Sequence, residues 1–273
     1  MQSILPVLRL PPVIRHNPIV RAEFRHQRFL INNSRSGFLW IALASAMVFP
    51  TLLFAGYLMG IGVFGIIYPP LLASVPDHAD WFGLLNIMLV VMAFSLYVVV
   101  TLITLGLSTN SVRRERNGRT WDNLRLTDIS DDKIVVGKWY ASLRALRGDH
   151  VMATVLRMGF VAQFIVPLNP EQTIYLPALL LITAVYGFLD AGLTAALGIL
   201  ASVAEDALGA VVGSVAIGVR IVTMVAATFW FFYSMTLLFV EGIEAVLLLT
   251  LLGFAVYLLL ILAALYTARR IVA

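Results

Sequence analysis

Apolar positions along this chain gather into six long runs, at 38–61, 84–107, 151–168, 174–203, 208–232 and 245–267. An α-helix rises about 1.5 Å per residue, so each run is long enough to cross a hydrocarbon layer about 30 Å thick. The first, fourth and fifth exceed what one perpendicular crossing needs, which predicts tilted helices or a partly re-entrant segment. Two further stretches carry helical periodicity without being apolar throughout. In 17–33, Asn17 is placed to cap a helix that starts at Pro18, Val20, Phe24 and Ile31 recur at helical spacing, and Arg21, Arg25 and Arg28 flank them. In 111–147, Thr120 heads a short pattern in which Trp121 and Leu124 share a face, and Ser130 heads a second with Asp131 and Asp132 in its first turn. Val136, Trp139, Leu143 and Leu146 then form an apolar stripe beside Lys133, Lys138, Arg144 and Arg147.

The expected architecture is an all-α integral membrane protein of six transmembrane helices. A cytoplasmic arm, 1–37, carries the interfacial helix, and a single membrane domain, 38–273, includes a cytoplasmic loop at 108–150. Composition agrees: 60% of the residues are hydrophobic and 12% charged, with a mean hydropathy of +0.93, whereas soluble domains carry about 25% charge. The chain has no cysteine, which excludes disulfides, thiolate metal sites and cysteine nucleophiles. Prolines and arginines interrupt the first eighteen residues, so the first span is expected to serve as its own insertion signal.

The net charge of +4 would be compatible with nucleic acid, but the basic residues sit where a membrane accounts for them. Arg9, Arg15, Arg21, Arg25, Arg28 and Arg35 precede the first span, Arg113 to Arg147 occupy the loop after the second, and Arg269 and Arg270 follow the last. The connections at 62–83, 169–173 and 241–244 contain no Lys or Arg and instead carry Asp77, Asp80, Glu171, Glu241 and Glu244. The positive-inside rule then places both termini and the long loop in the cytoplasm of a cell membrane. The arm 17–33 reads either as a basic amphipathic helix in the headgroup layer or as a solvated arm that orients the first span. The loop reads either as a docking knob for another protein or as a segment that is basic because it is inside.

The loop sequence carries a resemblance. Arg114-Glu115-Arg116 to Gly118, Thr120-Trp121-Asp122, Leu124, Leu126-Thr127, Ile129-Ser130, Ile134 and Gly137-Lys138 together resemble the loop after span two in type-2, exporter-type ABC transporter permeases. The pattern departs where Arg119 splits the usual Gly-Thr pair and where Asp128 replaces a proline. The resemblance implies that the loop helix is a coupling helix, with Thr120, Trp121, Asp122, Leu124 and Thr127 docking onto a separate ATPase subunit. It further implies a second permease copy or homologue; the family often carries a re-entrant hairpin before span six, for which 229–240 has enough apolar residues, a long tilted fifth helix being the equal alternative. No cofactor is expected in this chain: Gly137-Lys138 is followed by Trp139 and lacks the opening glycine of a Walker A loop, so ATP and Mg would sit on the partner.

Three ionisable residues fall within the spans: Asp190, Arg220 and Arg157. Asp190 and Arg220 lie at similar depth, about 18–20 Å from the connection between their spans, and are expected either to pair or to line a pathway. Arg157 is expected to snorkel towards the interface. Gly56 with Gly60 and Gly209 with Gly213 are expected to permit close helix packing within the chain or, alternatively, at a dimer interface. His16, His26, His78 and His150 show no ligand spacing and read as surface residues, and no nucleophile–base grouping points to an enzyme. The leading expectation is a permease subunit; the alternatives are a non-transporting anchor that recruits a partner, and an ion-coupled carrier built on Asp190 and Arg220.

Overall fold

Small residues decide which helix sits at the centre. The stretch Asp190 to Ile199 contains Ala191, Gly192, Thr194, Ala195, Ala196 and Gly198, and all ten of its positions are buried. Short side chains all round a helix let neighbours approach from every side. The computed structural model, which describes residues 17–32, 37–68, 80–121, 124, 126, 129–165, 170–204 and 206–272, assembles the other helices around this one.

In chain order the helices are α1 (Pro18–Asn32), α2 (Gly37–Ile67), α3 (Asp80–Asn117), α4 (Asp131–Ala145), α5 (Arg147–Ile165), α6 (Leu176–Val203), α7 (Asp206–Val240) and α8 (Ile243–Val272), with a 3-10 turn at Pro170–Tyr175 before α6. The central α6 packs against α3, α5, α7 and α8 and also touches α4, while α2 lies along α5 and α1 lies along α4. Among the described residues, five helical stretches are long and apolar enough to cross a membrane: Ala46–Ile67, Gly83–Asn117, Thr173–Val203, Val211–Phe229 and Ile243–Val272. The run expected at 151–168 corresponds to α5, a 19-residue helix whose described part carries Asp149, His150, Arg157 and Gln163. It is more polar than the other five, and most of its packing is with α2, α3 and α6.

Three buried clusters divide the interior. Leu58, Leu89, Leu156, Leu176 and Val246 join α2, α3, α5, α6 and α8 at one end. Leu193, Ala216, Tyr257 and Ile261 join α6, α7 and α8 in the middle. Val112, Trp121, Ile134, Ile199 and Val272 close the other end. Around them, Phe94, Leu102, Phe188, Ile221, Phe229, Leu248 and Leu259 are exposed, as expected of side chains whose solvent is lipid.

Several local expectations change. Of the two readings for 229–240, the structure has the long helix: these residues continue α7 as one 35-residue helix, without a re-entrant hairpin. That helix ends where Gly242 takes a positive φ of 84° and its N–H, with that of Glu241, turns back to the carbonyl of Leu237, a termination that glycine makes accessible. The second apolar run ends near 107 but its helix does not: α3 runs 38 residues, about 57 Å, and carries Arg113 to Arg116 as helix. The glycines that close helix contacts are also different ones. A Cβ on Gly198 would stand 2.5 Å from that of Ser108, and one on Gly159 would collide with Ala55. At Gly56, Gly60 and Gly213 an added Cβ would meet nothing within 4 Å among the described residues, so no close helix contact is seen at these three. Gly209 pairs with Gly213 in sequence, and its surroundings lie outside the described residues.

Candidate functional site

The loop after the second span is built on a turn. α3 ends in hydrogen bonds from the Gly118 N–H to Arg114 O, Arg119 N–H to Arg116 O and Thr120 N–H to Glu115 O. Arg119, the residue that splits the Gly-Thr pair, takes the left-handed conformation with φ 55°, costly for a residue with a Cβ, and reverses the chain. Thr120 is exposed, with its hydroxyl donating to Glu115 O at 3.2 Å.

Trp121 does not project outward. It is 7% exposed and packs among Val112 of α3, Ile134 and Val135 of α4, Ile199 and Val203 of α6, and Ala268 and Val272 of α8. The Arg116 guanidinium lies 5.6 Å above its ring. Leu124 leans against the same cluster. The physical reason is area: an indole gains more by displacing water from a ready apolar socket than by standing in solvent. The exposed apolar tip is Leu126, at 84%, which was not among the expected docking residues. Asp122 and Thr127 lie outside the described residues.

α4 follows, with Ser130 as N-cap by backbone geometry but without a side-chain capping bond. Its buried face is Ile134, Val135, Gly137, Lys138, Ala141 and Ser142, turned from the stripe expected at 136, 139, 143 and 146, of which only Leu146 is fully buried. The helix is covered on two sides, by α1 and by α6, so a single apolar stripe does not describe it. Trp139 donates from its indole N–H to Gly192 O of α6 at 2.9 Å.

A polar knot explains Gly137-Lys138. Asn17 caps α1, accepting from the Ile19 N–H at 3.0 Å, and donates to Lys133 O at 2.6 Å; a Cβ at Gly137 would stand 2.7 Å from its amide nitrogen. Lys138 is fully buried and donates to Glu115 Oε1 at 2.7 Å, Ser111 O at 3.1 Å and Glu23 Oε2 at 3.3 Å. Arg114 reaches the same Glu23 oxygen at 2.9 Å, and Gln27 donates to Glu23 Oε1 at 3.0 Å and to Ser142 Oγ at 3.2 Å. Burial pushes the Glu23 carboxyl up, but Lys138 and Arg114 together pull it further down and hold it below its ordinary value.

The buried face of α1 is thus Asn17, Ile19, Val20, Glu23 and Gln27; of the apolar stripe expected at 20, 24 and 31, Val20 is turned into the bundle, Phe24 is half-buried, and the side chain of Ile31 lies outside the described residues. Arg21, Arg25 and Arg28 are exposed as expected, and the guanidinium groups of Arg28 and Arg144 lie 5.5 Å and 4.6 Å from the centre of the Phe24 ring. Arg269 near the end of α8 pairs with Asp132 of α4 at 2.8 Å. The helix α1, the loop and the end of α8 therefore meet at one end of the bundle.

A second charged cluster lies among α3, α5, α6, α7 and α8. Asp190 and Arg220, 4% and 2% exposed, pair with Nη2 to Oδ2 at 2.7 Å. The Tyr97 hydroxyl accepts from Arg220 at 2.8 Å and donates to Asp190 Oδ1 at 3.4 Å, and Tyr257 donates to that same oxygen at 3.3 Å. Arg157 does not snorkel: its guanidinium lies 3.6 Å from the centre of the Tyr97 ring. His150 is half-buried, with Nε2 3.1 Å from Thr104 Oγ1, rather than a surface residue; His16 and His78 lie outside the described residues. Tyr97 and Tyr257 were missed because tyrosine within a span reads as ordinary apolar surface. Among the described residues no three His, Asp or Glu side chains group as a metal site. Comparison of the chain with protein-family models, with curated proteins and with solved structures finds no match.

Proposed function

We propose that this chain is the membrane-spanning permease subunit of an ATP-driven exporter, pairing with a second permease and with a separate ATPase that carries ATP and Mg. In this reading α5 is the sixth crossing, both termini are cytoplasmic, and α1 lies at the cytoplasmic headgroups. The observation that supports it most is the rooting of the loop. Its tip, Leu126, is exposed, while Trp121 five residues earlier is wedged into a cluster drawn from α3, α4, α6 and α8. Packed interiors transmit displacement rather than absorb it. A partner that moves the tip therefore moves the ends of four helices together, which is what coupling ATP-driven closure to a transport pathway requires. The paired Asp190–Arg220 centre serves as a tie between α6 and α7 in this scheme.

The test is co-purification with an ATPase encoded by a neighbouring reading frame, followed by ATP hydrolysis in proteoliposomes. Leu126→Asp changes an exposed side chain and leaves the fold intact. It is expected to weaken the complex and reduce stimulated hydrolysis about tenfold or more, the loss of an interface anchor worth about 1.4 kcal/mol or more. Unchanged complex formation and unchanged stimulation would sink the coupling assignment.

A further inference from the structure

The contacts of α1 set its course. Asn17 meets Lys133, Glu23 meets Lys138 and Gln27 meets Ser142, so α1 and α4 run side by side in the same direction. Along α3 the direction is opposite. Glu23 joins Arg114, and farther along α1 the residues Gln27 and Leu30 share a cleft with α3 residues that reach back to Ile103. Because α3 is cationic at Arg113 and Arg114 and apolar at Leu107 and Ile103, α1 descends from the charged end of α3 towards its apolar part.

The exposed side of α1 changes in step. Arg21, Arg25 and Arg28 are exposed first, and Phe29 and Leu30 follow. From Arg21 to Arg28 the helix advances about 10 Å, comparable with the headgroup layer on one side of a bilayer, about 5–8 Å thick. Two neighbouring helices thus pass from cations to hydrocarbon together, as they would at the boundary between headgroups and acyl chains.

At that boundary two cations share one support. The guanidinium groups of Arg28 and Arg144 both lie against the Phe24 ring, and both residues are exposed. Among the described residues none of Arg21, Arg25, Arg28 and Arg144 has a carboxylate partner: Glu23 and Glu115 belong to the knot, and Asp132 is held by Arg269. Like charges held close repel, and an anion beside them removes that cost. Guanidinium groups grip phosphate oxygens through paired N–H donors. An acidic protein surface would meet the same charges, but the exposed Phe29 and Leu30 next to them match hydrocarbon next to phosphate, which is the order within a lipid leaflet.

We propose that Arg28 and Arg144, with Arg25 and Arg21 behind them, bind the phosphates of acidic phospholipids such as phosphatidylglycerol, while Phe29 and Leu30 enter the acyl region. The inference rests on α1 lying at the cytoplasmic headgroups, and not on coupling to an ATPase. A zwitterionic surface carries no net charge, whereas an acidic one favours each nearby basic residue about fivefold.

Native mass spectrometry of the full chain without any partner protein tests it, with phosphatidylglycerol, phosphatidylcholine of the same acyl chains, and soluble glycerophosphoglycerol as probes. Phosphatidylglycerol is expected to bind about twentyfold more tightly than phosphatidylcholine, and the soluble headgroup should not compete. Arg28→Gln with Arg144→Gln should cut the preference about tenfold. Lys133→Gln, which removes an exposed cation in the first turn of α4, should leave it unchanged. Equal binding of the two lipids would overturn the proposal. So would competition by the soluble headgroup, an undiminished preference in the double variant, or an equal loss in Lys133→Gln. The depth of α1 is read separately, from spin labels on Ala22→Cys and Phe29→Cys in the otherwise cysteine-free chain. Both positions are exposed and lie on one face. The label at 29 should be the more accessible to oxygen, and that at 22 to a water-soluble nickel chelate. Equal or reversed accessibilities would remove α1 from the headgroups and the proposal with it; the expected depths with equal lipid binding would overturn the lipid assignment alone.

Discussion

The two buried charge clusters solve the same problem in different ways. In the knot, two anions and two cations interlock: Lys138 touches Glu23 and Glu115, and Arg114 touches Glu23, so each charge is neutralised by more than one contact or keeps an edge towards solvent. In the centre among α6 and α7, one aspartate faces one arginine with Tyr97, Tyr257 and Thr223 as further hydrogen-bond partners, and a second arginine, Arg157, is held by the face of an aromatic ring. The difference teaches where redundancy lies. Removing Lys138 from the knot leaves Glu23 paired with Arg114 and Glu115 with an edge towards solvent, whereas removing Asp190 from the centre strands Arg220 with only the hydroxyls of Tyr97 and Thr223 among the described residues.

The largest effect that would break this contrast is at Asp190. Asp190→Leu leaves Arg220 unpaired and is expected to cost about 3–5 kcal/mol, seen as a lower midpoint of thermal unfolding in lipid nanodiscs; adding Arg220→Met should recover most of the loss. If the single variant were as stable as the parent, the centre would not be a tie. Lys138→Met comes next, at about 1–3 kcal/mol, because Glu23 keeps Arg114.

The knot also has a pH signature that sharpens the comparison. The native Glu23 carboxyl is held below its ordinary value of 4.5, so its contribution is fully present above about pH 4.5 and is lost as pH falls through the lower native value. The stability gap between parent and Glu23→Gln should therefore stay flat from pH 7 to about pH 5 and close below that. A gap that widened on acidification would contradict the pairing. Tyr97→Phe should cost about 1 kcal/mol by removing the hydroxyl from Arg220 while keeping the ring beneath Arg157. A smaller loss is expected for Tyr257→Phe, whose hydroxyl stands farther off at 3.3 Å. Equal losses of 3 kcal/mol or more would show that the hydroxyls, and not the ion pair, hold the centre.

No stability change is expected for cysteines placed at Arg25, Arg270 and Glu241, all exposed, in a chain that otherwise has none. With six crossings the first two react with an impermeant maleimide from one side of the membrane and the third from the other. Arg25→Cys and Arg270→Cys reacting from opposite sides would leave α5 outside the count.

How much of this was legible beforehand varies with range. The apolar runs marked the long helices, and Asn17-Pro18 marked the start of α1, because both signals are local. The meeting of Asp190 and Arg220 was legible from their equal depth on adjacent helices. The knot was not: Glu23 and Lys138 are 115 positions apart, and the period of α1 draws the eye to Phe24 and the arginines instead. The burial of Trp121 depends on a socket assembled from four helices, which no local spacing reveals. The central place of α6 had a readable cue in the density of Ala, Gly and Thr after Asp190, and counting small residues would have found it.

The central claim is that an ATPase meets this chain at the loop tip. Leu126→Cys, in the otherwise cysteine-free chain, should form a cross-link to the ATPase subunit through a short bifunctional reagent, with a yield that changes when ATP is bound. Phe188→Cys, exposed within a span, should form none. The account would be contradicted if the two chains co-purified and the cysteine at 126 reacted freely with a small maleimide, yet no cross-link to the ATPase formed in any nucleotide state.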